Sequence, residues 1–443
     1  MNSQPHSFLA RTPFYYGWVV VGVAFVTMAL GVNARTSFSL LVPPLSDEFG
    51  WDRATIAGIF SVGFITSTIL SPILGVLMGR VGPRYFMPVC VLVVGLGFAL
   101  ARYSTAPWHL YVTLGAMVVG GSVGFSYIGH SFFLPNWFVR KRGLAVGIAF
   151  SGVGVGSILI FPWMQRLIET DGWRDACLSL AVILVVVLLP LNYCLQRTRP
   201  EDIGLRPDGR GDDTGTAEGK VGSADARDDN VVDAQWVART WTVPTALRTT
   251  KFWWLAAAYF SSLFAWYAVL VHQTKFLRDI GFSAELTAYA LGLVSFAAIF
   301  GQIMIGAISD RWGREVAWTI SMVGFIICYG LLVMLKIYPS TLLVYAMIAA
   351  QGVLGYGMAS VYGSVAADVF SGARYASIFG VLGLCSTLGA AFGPWVMGRL
   401  YDLQGAYTVS FYVCAAMAGV SILCMWAAAP RHVRLVAGQA ARR

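Results

Sequence analysis

Charged residues are scarce in this chain of 443 residues, where Asp, Glu, Lys and Arg together make up 12%. A soluble domain has about 25%. By contrast, 57% of the residues are hydrophobic, and the mean hydropathy is +0.67. So little charge cannot cover a surface that faces water, and we therefore predict an integral membrane protein. The apolar character is also too continuous for the alternating strands of a membrane β-barrel.

The signs of an enzyme or of a metal centre are also missing. The seven cysteines all fall in apolar segments without a C-x-x-C spacing, so we interpret them as packing residues. The sequence shows no Ser/His/Asp arrangement, no metal-ligand spacing and no nucleotide-binding loop. We predict no enzymatic activity, no cofactor and no metal. The polar first 14 residues precede an apolar segment that is too long for a cleavable signal.

Long apolar segments fill most of the chain. About 20 apolar residues cross a bilayer, and the hydropathy predicts twelve membrane helices. Their expected bounds are 15–42, 53–79, 84–103, 108–137, 143–167, 174–196, 252–277, 284–309, 315–336, 340–368, 374–400 and 407–429.

The second half of the chain repeats the first. Pro162 and Pro394 lie 232 residues apart, and the loop Gly75–Arg84 matches Gly306–Glu315 at an offset of 231. We therefore expect an all-α membrane protein, with its twelve transmembrane helices in two pseudo-symmetric six-helix bundles. The expected domains are an N-terminal bundle (1–196), a cytoplasmic linker (197–250) and a C-terminal bundle (251–443).

Most Lys and Arg residues in the loops lie on the side of the two termini. This distribution predicts that both termini are cytoplasmic, and it explains the net charge of +9 without nucleic acid. The middle of the linker, from Asp208 to Asp233, is rich in Gly, Asp and Ala, which predicts disorder. Only its end, Trp236 to Leu247, looks able to lie on the membrane surface. We expect a multi-pass protein of a bacterial inner membrane.

The loop between helices 8 and 9 resembles the G-x-L-x-D-R-x-G-R signature of the major facilitator superfamily. The first-half copy is weaker, because Gly79 stands where the acid is expected. The resemblance implies a cytoplasmic gate. The gating residues that it implies are Gly75, Arg80, Gly306, Asp310, Arg311, Gly313 and Arg314.

A finer resemblance points to the monocarboxylate porters and the oxalate/formate exchangers. The start of helix 1 (Tyr16 to Val20) and the loop Trp137 to Ala145 are similar to theirs. In that family a basic residue of helix 1 stands about where Arg35 stands. Helix 8 of the family carries an Asp and an Arg, but the matching segment here, Phe296 to Gln302, has neither. The resemblance implies transport of a small organic carboxylate.

Arg35 is the sharpest candidate for substrate binding. We expect it in the outer half of helix 1, on one helical face with Thr27, Gly31 and Ser39, where these residues would line a cavity. An ionisable group inside a bilayer is costly and therefore functional by default. A guanidinium also offers two parallel donors to a carboxylate. The alternative is that the helix ends near Val32 and that Arg35 reaches the outer interface.

His130 and Tyr127 of helix 4 are further candidates. His130 could carry a coupling proton, and we expect it to face Tyr362, its counterpart 232 residues later. The alternative for His130 is a packed histidine that is bonded to a backbone carbonyl. Tyr127 is a candidate hydroxyl donor to the substrate.

Helices 7 and 8 supply the remaining candidates. His272 and Lys275 close helix 7, where they either contact the substrate or lie at the membrane interface. Gln302 stands where the family has its Arg, and its amide could bind a carboxylate or another helix. No Asp or Glu falls in the middle of any predicted helix, so the cavity suits an anion better than a cation.

These observations predict a secondary active transporter for a small organic carboxylate, working by alternating access. Coupling is by proton symport or by anion exchange. The expected partners are a small anionic substrate, protons in the case of symport, and the lipid bilayer. We expect a monomer. The alternatives are an exporter of a bulkier amphipathic compound, such as a drug or a siderophore, and a membrane sensor on the same fold that does not transport.

Overall fold

A computed structural model of the chain describes residues 15–131, 133–137, 142–206, 231–370, 375–436 and 439. In this part of the chain the regular structure is helical, apart from an isolated β-bridge between Val231 and Arg434. Twelve helical stretches are long and apolar enough to cross a membrane. The predicted fold class, an all-α protein with twelve membrane helices, is confirmed.

The helices of the first half are α1 (Gly17–Thr36), α2 (Phe38–Phe49), α3 (Arg53–Val81), α4 (Pro83–Ala101), α5 (Pro107–Leu110), α6 (Tyr127–Ser131), α7 (Leu134–Trp137), α8 (Arg142–Thr170), α9 (Trp173–Ile183) and α10 (Leu189–Leu195). Short helices α11 (Ala234–Val237) and α12 (Val243–Leu247) follow. The second half contains α13 (Thr250–Asp279), α14 (Ala284–Trp312), α15 (Arg314–Ile337), α16 (Thr341–Ala349), α17 (Ala359–Val369), α18 (Tyr375–Gln404) and α19 (Thr408–Ala428).

The first membrane span is longer than predicted. Helices α1 and α2 together form one span from Gly17 to Phe49, with a break at Ser37. The hydroxyl of Ser37 donates to the carbonyl oxygen of Ala34 at 2.7 Å, so the side chain satisfies part of the interrupted backbone. Because the span continues beyond this break, Arg35 lies near its middle. Arg35 stands two residues beyond the midpoint of this span, on the side of Phe49.

The fourth span is not the single α-helix that hydropathy suggested. After α5 it widens into a π-helix (Tyr111–Gly120) and then tightens into a 3₁₀-helix (Gly121–Phe125). The tenth span shows the same order of helix types, with a π-helix (Ala350–Leu354) and a 3₁₀-helix (Gly355–Met358) after α16. Hydropathy cannot detect these changes in hydrogen-bond register. Such π segments are frequent at functional sites.

The helices run between two ends of the molecule, which we call the near end and the far end. The near end contains the start of α1 and the end of α19, and the far end contains the connections at Gly50, Gly172, Gly281 and Gly405. Each half of the chain forms most of one large apolar core. One is built mainly from residues 16–205, and the other lies within residues 241–428.

Glycines allow matching helices of the two halves to pack closely. A Cβ atom on Gly152 or Gly156 of α8 would collide with the backbone of α1, at Phe25 and Ala29 respectively. In the second half, a Cβ on Gly389 or Gly393 of α18 would collide with the backbone of α13. These glycines therefore set the distance between helix axes in each half, as small residues do in membrane proteins.

The end of the predicted linker packs on the second half of the molecule. The indole nitrogen of Trp236 donates to the carbonyl oxygen of Val369 at 2.8 Å, and the ring of Trp241 stands edge-on to Phe370 at 5.1 Å. Trp241 is only 5% exposed, so this segment joins a protein core, whereas the sequence suggested the membrane surface. Residues 207–230 lie outside the described residues.

Candidate transport site

The candidate site is built around Arg35, near the middle of the first membrane span. Arg35 is partly exposed, and its guanidinium carbon lies 5.7 Å from the centroid of the Phe64 ring on α3. None of the ion pairs between described residues involves Arg35. Since a charge inside an apolar span is costly without a partner, Arg35 marks the candidate site.

Two tyrosines accompany Arg35. Tyr127, just after the irregular part of the fourth span, lies near both Arg35 and Tyr267 of α13. The ring of Tyr267 meets the ring of Phe64 edge-on, with 4.5 Å between the centroids. Both tyrosines are partly exposed. Arg35 and Tyr127 belong to the first half and Tyr267 to the second, so both halves contribute to the site.

The predicted stripe of Thr27, Gly31, Arg35 and Ser39 spans α1 and the start of α2, and its members have different surroundings. Thr27 is buried and accepts a hydrogen bond from the amide of Asn192 at 3.0 Å. Gly31 packs against the ring of Phe125, where a Cβ atom would collide. Ser39 lies 2.9 Å from the hydroxyl of Thr274 on α13. Arg35 is therefore the member of the stripe that is left without such a partner in the described structure.

His130 and Tyr362 are placed in different surroundings. His130 is fully buried, with its Nδ1 3.1 Å from the carbonyl oxygen of Ser126 and its ring against Phe133. Tyr362 stacks on Tyr259 of α13 with 4.1 Å between the ring centroids. The structure records no contact between His130 and Tyr362. Gln302 is partly exposed on α14, and no hydrogen bond of its amide is recorded among the described residues.

A far-end cluster joins the halves around Arg53, the first residue of α3. The Arg53 guanidinium forms an ion pair with Asp279 (2.6 Å) and donates to the hydroxyl of Tyr407 (2.5 Å). The carboxylate of Asp402 accepts the backbone N–H groups of both Arg53 and Ala54 at 2.9 Å. Asp279, Asp402 and Tyr407 all belong to the second half. This contact caps the N-terminus of α3, where a carboxylate is favourable.

His272 belongs to the same far-end cluster. Its Nε2 lies 2.9 Å from the carbonyl oxygen of Pro394 and therefore donates, so its Nδ1 accepts from the Tyr407 hydroxyl at 3.1 Å. This proton order is assigned from the hydrogen-bond partners. Lys275 contacts Asp47 of the first half at 2.9 Å and Asp279 at 3.5 Å. Both residues thus have partners within the protein at the far end.

The signature loop forms a near-end cluster within the second half. Arg314 pairs with Asp310 and with Asp368 of α17, both at 2.8 Å, and it also donates to the hydroxyl of Ser309. Gly313 has a φ of +111°, which explains why a glycine stands at this sharp turn.

The other predicted gating residues lie in the last turns of α14 or in the matching last turns of α3. Arg311 and Arg80 are exposed, and neither has an ion pair among the described residues. Gly306 lies in ordinary contact with Ser360, 3.6 Å from where its Cβ would be, and Gly75 falls inside α3.

The recorded hydrogen bonds and ion pairs that join the two halves are unevenly distributed. Within the described ranges they lie at the far end or in the middle, where Ser61 donates to the carbonyl oxygen of Ala391 and Ser157 to that of Gly292. The near-end cluster, by contrast, connects helices of one half. The described polar contacts between the halves therefore lie at the far end and in the middle, while the near-end cluster contributes none of them.

Comparison with known families fits this arrangement of twelve helices in two related halves. The model of the Major Facilitator Superfamily matches residues 21–364. The chain belongs to the Major Facilitator Superfamily. It is therefore a multi-pass membrane transporter and not an enzyme, and a small-molecule substrate and the lipid bilayer are its partners.

Several curated relatives of this superfamily member are monocarboxylate transporters. Monocarboxylate transporter 13 of Bos taurus is 26% identical over 419 residues, which cover 92% of this chain and 88% of that protein. Monocarboxylate transporter 2 of Homo sapiens is 24% identical over 426 residues, with 91% and 83% covered. The resemblance to this branch that the sequence motifs suggested is confirmed, at low identity.

Solved structures share the fold of this superfamily member. A bacterial homologue of the human lysosomal transporter Spinster, in an inward-facing and occupied conformation, aligns with a TM-score of 0.67 at 16% identity and covers 94% of this chain and 97% of that one. A mutant form of the nucleoside transporter NupG aligns with a TM-score of 0.69 at 13% identity, with 94% and 100% covered. At these identities the likeness concerns the fold alone.

Sequence reasoning missed several residues of the central site and of the far-end cluster. Phe64 and Tyr267 look in sequence like any aromatic residue of a membrane helix. Arg53 looks like an interfacial charge, and its partners Asp402 and Tyr407 are about 350 positions later. A signal was available in one case only: Arg53 directly follows Asp52, an N-cap residue, and thus begins a helix.

Proposed function

We propose that this transporter carries a small organic monocarboxylate and that Arg35 binds its carboxylate group. The observation that carries the proposal is the missing partner of Arg35. Arg53, Lys275 and Arg314 all have acidic partners within the chain, whereas Arg35 has none among the described residues. A carboxylate would supply the missing charge, and the hydroxyl of Tyr127 could donate to its second oxygen.

Alternating access supplies the path to this site. We propose that the far end is extracellular and that the far-end cluster closes it while the near end, with both termini, faces the cytoplasm. The excess of Lys and Arg in the near-end loops supports this orientation. The near-end cluster around Arg314, with Asp310, is the proposed counterpart that holds the second half during the opposite closure. Arg80 and Arg311 are exposed near it and are proposed to take part.

The charge of Arg35 also bears on coupling. An empty site would have to enclose an unpaired guanidinium each time the transporter changes conformation, which is costly away from water. A bound anion removes this cost, so we propose that exchange of one carboxylate for another is faster than net transport. If a proton is carried as well, it travels on the substrate or through His130, because no acidic residue falls in the middle of a span.

Substitution of Arg35 tests the proposal. We expect Arg35→Gln to weaken carboxylate binding by about 30-fold to several thousand-fold, since loss of a buried charge pair costs roughly 2–5 kcal/mol. Arg35→Lys should bind at an intermediate level, because it keeps the charge but loses the two-pronged geometry. Gln302→Ala should have the mildest effect. Titration calorimetry on purified protein, and uptake into proteoliposomes with and without internal substrate, measure these quantities.

The control is Arg166→Gln, which removes an exposed arginine of the same half and should leave binding unchanged. Thermal denaturation of each variant separates loss of binding from loss of folding. If Arg35→Gln binds carboxylates as well as the parent protein does, the proposal is wrong, and export of a bulkier amphipathic compound becomes the better account.

A further inference from the structure

Aromatic rings from both halves lie near Arg35. The Phe64 ring lies beside the guanidinium, and the Tyr267 ring meets Phe64 edge-on at 4.5 Å. The ring of Tyr127, a further neighbour of Arg35, stands edge-on to Phe150 of α8 at 4.9 Å. The part of a substrate that is not the carboxylate would therefore lie near aromatic rings of both halves.

These rings differ in how much of their surface is exposed. Phe64 is 7% exposed and serves as packing, whereas Tyr127 and Tyr267 are partly exposed although they lie between the halves. Behind Tyr267, Trp266 is stacked on Tyr356 with 4.1 Å between the ring centroids. Trp266 thus packs within the second half, whereas Tyr267 packs on Phe64, the ring beside Arg35.

The charges around the site restrict the substrate further. Arg35 has no acidic neighbour among the described residues, so the ammonium group of an amino acid would lack a counter-ion there. A second carboxylate would also lack one, because Lys275, the basic residue that follows on α13, is held by Asp47 and Asp279. The site therefore suits a substrate with one negative charge and an uncharged body.

We propose that the substrate is an aromatic monocarboxylate and that Tyr267 determines this specificity. The inference rests on the proposed function, since it assumes that Arg35 holds the carboxylate. The carboxylate would bind the first half through Arg35, and the aromatic ring would bind the second half through Tyr267. Edge-on and offset-stacked ring pairs add to the burial of apolar surface, by about two- to tenfold in affinity for each pair.

A set of matched carboxylates tests the proposal on the full-length protein. Titration calorimetry would compare phenylacetate and benzoate with lactate, and with cyclohexanecarboxylate, which matches benzoate in size but has no aromatic ring. We expect the aromatic acids to bind about tenfold more tightly than lactate, with cyclohexanecarboxylate between them. Equal or tighter binding of lactate would overturn the proposal.

Variants of Tyr267 assign the specificity. Tyr267→Leu should weaken phenylacetate binding about five- to tenfold and lactate binding less than about twofold, because only the ring contact is lost. Tyr267→Phe should keep the preference, and the control Tyr289→Leu, at an exposed position of α14, should change neither acid. An equal loss for both acids in Tyr267→Leu would show a structural role only and overturn the assignment.

The two proposals fail in different ways. If Arg35→Gln binds every carboxylate as the parent protein does, the anion site itself is wrong, and the proposed substrate class falls with it. If Arg35→Gln abolishes binding of all the acids but the parent protein does not distinguish phenylacetate from lactate, the carboxylate site stands and the aromatic specificity is wrong.

Discussion

At the scale of single residues, the hydroxyl of Tyr407 joins two side chains of the far-end cluster. It accepts from Arg53 and donates to His272, and its ring lies 4.5 Å from that of Tyr401. The hydroxyl therefore satisfies two buried polar groups of different elements. A buried polar group that loses its partner costs about 1–3 kcal/mol.

The first prediction concerns this hydroxyl. Tyr407→Phe keeps the ring but leaves Nδ1 of His272 and one nitrogen of Arg53 without their partner, so we expect a destabilisation of about 1–3 kcal/mol. Thermal denaturation of the purified protein should show a lower melting temperature. Tyr412→Phe, at a position that is 60% exposed, is the control. An unchanged melting temperature for Tyr407→Phe would mean that water replaces the hydroxyl at no cost.

Individual residues of the site show what the sequence could predict and what it could not. Arg35 was identified because a charge inside an apolar segment is visible without any structure. His272 was expected beside the substrate or at an interface, yet its partners Pro394 and Tyr407 lie 122 and 135 positions away. Such contacts are invisible to spacing within one helix. Tyr267 was missed for the same reason, since its neighbours Phe60 and Phe64 belong to the other half.

At the scale of elements, the far-end cluster attaches α3 to α13, α18 and the start of α19. Arg53 is only 9% exposed, so its ion pair with Asp279 is screened less than a surface pair would be. Hydrogen bonds to charged groups contribute about 1.5–3 kcal/mol. Separation of the halves at the far end has to break these contacts.

We therefore expect Arg53→Gln to favour the state in which the far end is open. The shift should be about ten- to 100-fold in the equilibrium between the two states, for the loss of about 1.5–3 kcal/mol. A cysteine placed at Ser39, which is 2% exposed, should then be alkylated faster, as mass spectrometry of the labelled peptide would show.

The matched control for this measurement is Arg102→Gln. Arg102 pairs with Asp175 inside the first half, so its loss should not alter the labelling of the cysteine at position 39. If Arg53→Gln labels no faster than the parent protein and this control, the cluster does not hold the far end closed.

Elements were predicted well where apolar length decides and poorly where hydrogen-bond register decides. The twelve spans followed from hydropathy, because the bilayer imposes both length and apolar character. The break at Ser37 and the π-helices of the fourth and tenth spans did not, because a turn of π-helix has the same composition as a turn of α-helix.

At the scale of the whole molecule, the proposed alternating access requires the two halves to move relative to each other. Ser39 of α2 and Thr274 of α13 approach to 2.9 Å between their hydroxyl oxygens. They lie on opposite halves, at the far-end side of Arg35. Two cysteines there would have side chains close enough for a disulfide, which needs about 3.5–4.5 Å between Cβ atoms.

A disulfide at this place should stop transport. We expect Ser39→Cys/Thr274→Cys to lose uptake into proteoliposomes after oxidation and to regain it with a reductant, because the far end could no longer open. The control is Thr27→Cys/Asn192→Cys, which joins α1 to α10 within the first half and should retain uptake. Parental uptake by the fully oxidised first variant would contradict movement of the halves at this end.

Hydration is linked to the contact between Asp402 and the start of α3. This carboxylate accepts two backbone N–H groups of the opposite half, and separation of the halves exposes both the carboxylate and the helix terminus. Water must then occupy these sites, so an open far end takes up more ordered water than a closed one. The conformational equilibrium thus depends on water activity in the way that it depends on any ligand. An osmolyte that is excluded from the protein surface, such as sucrose, would favour the closed far end, and concentrated media would slow the cycle at this step.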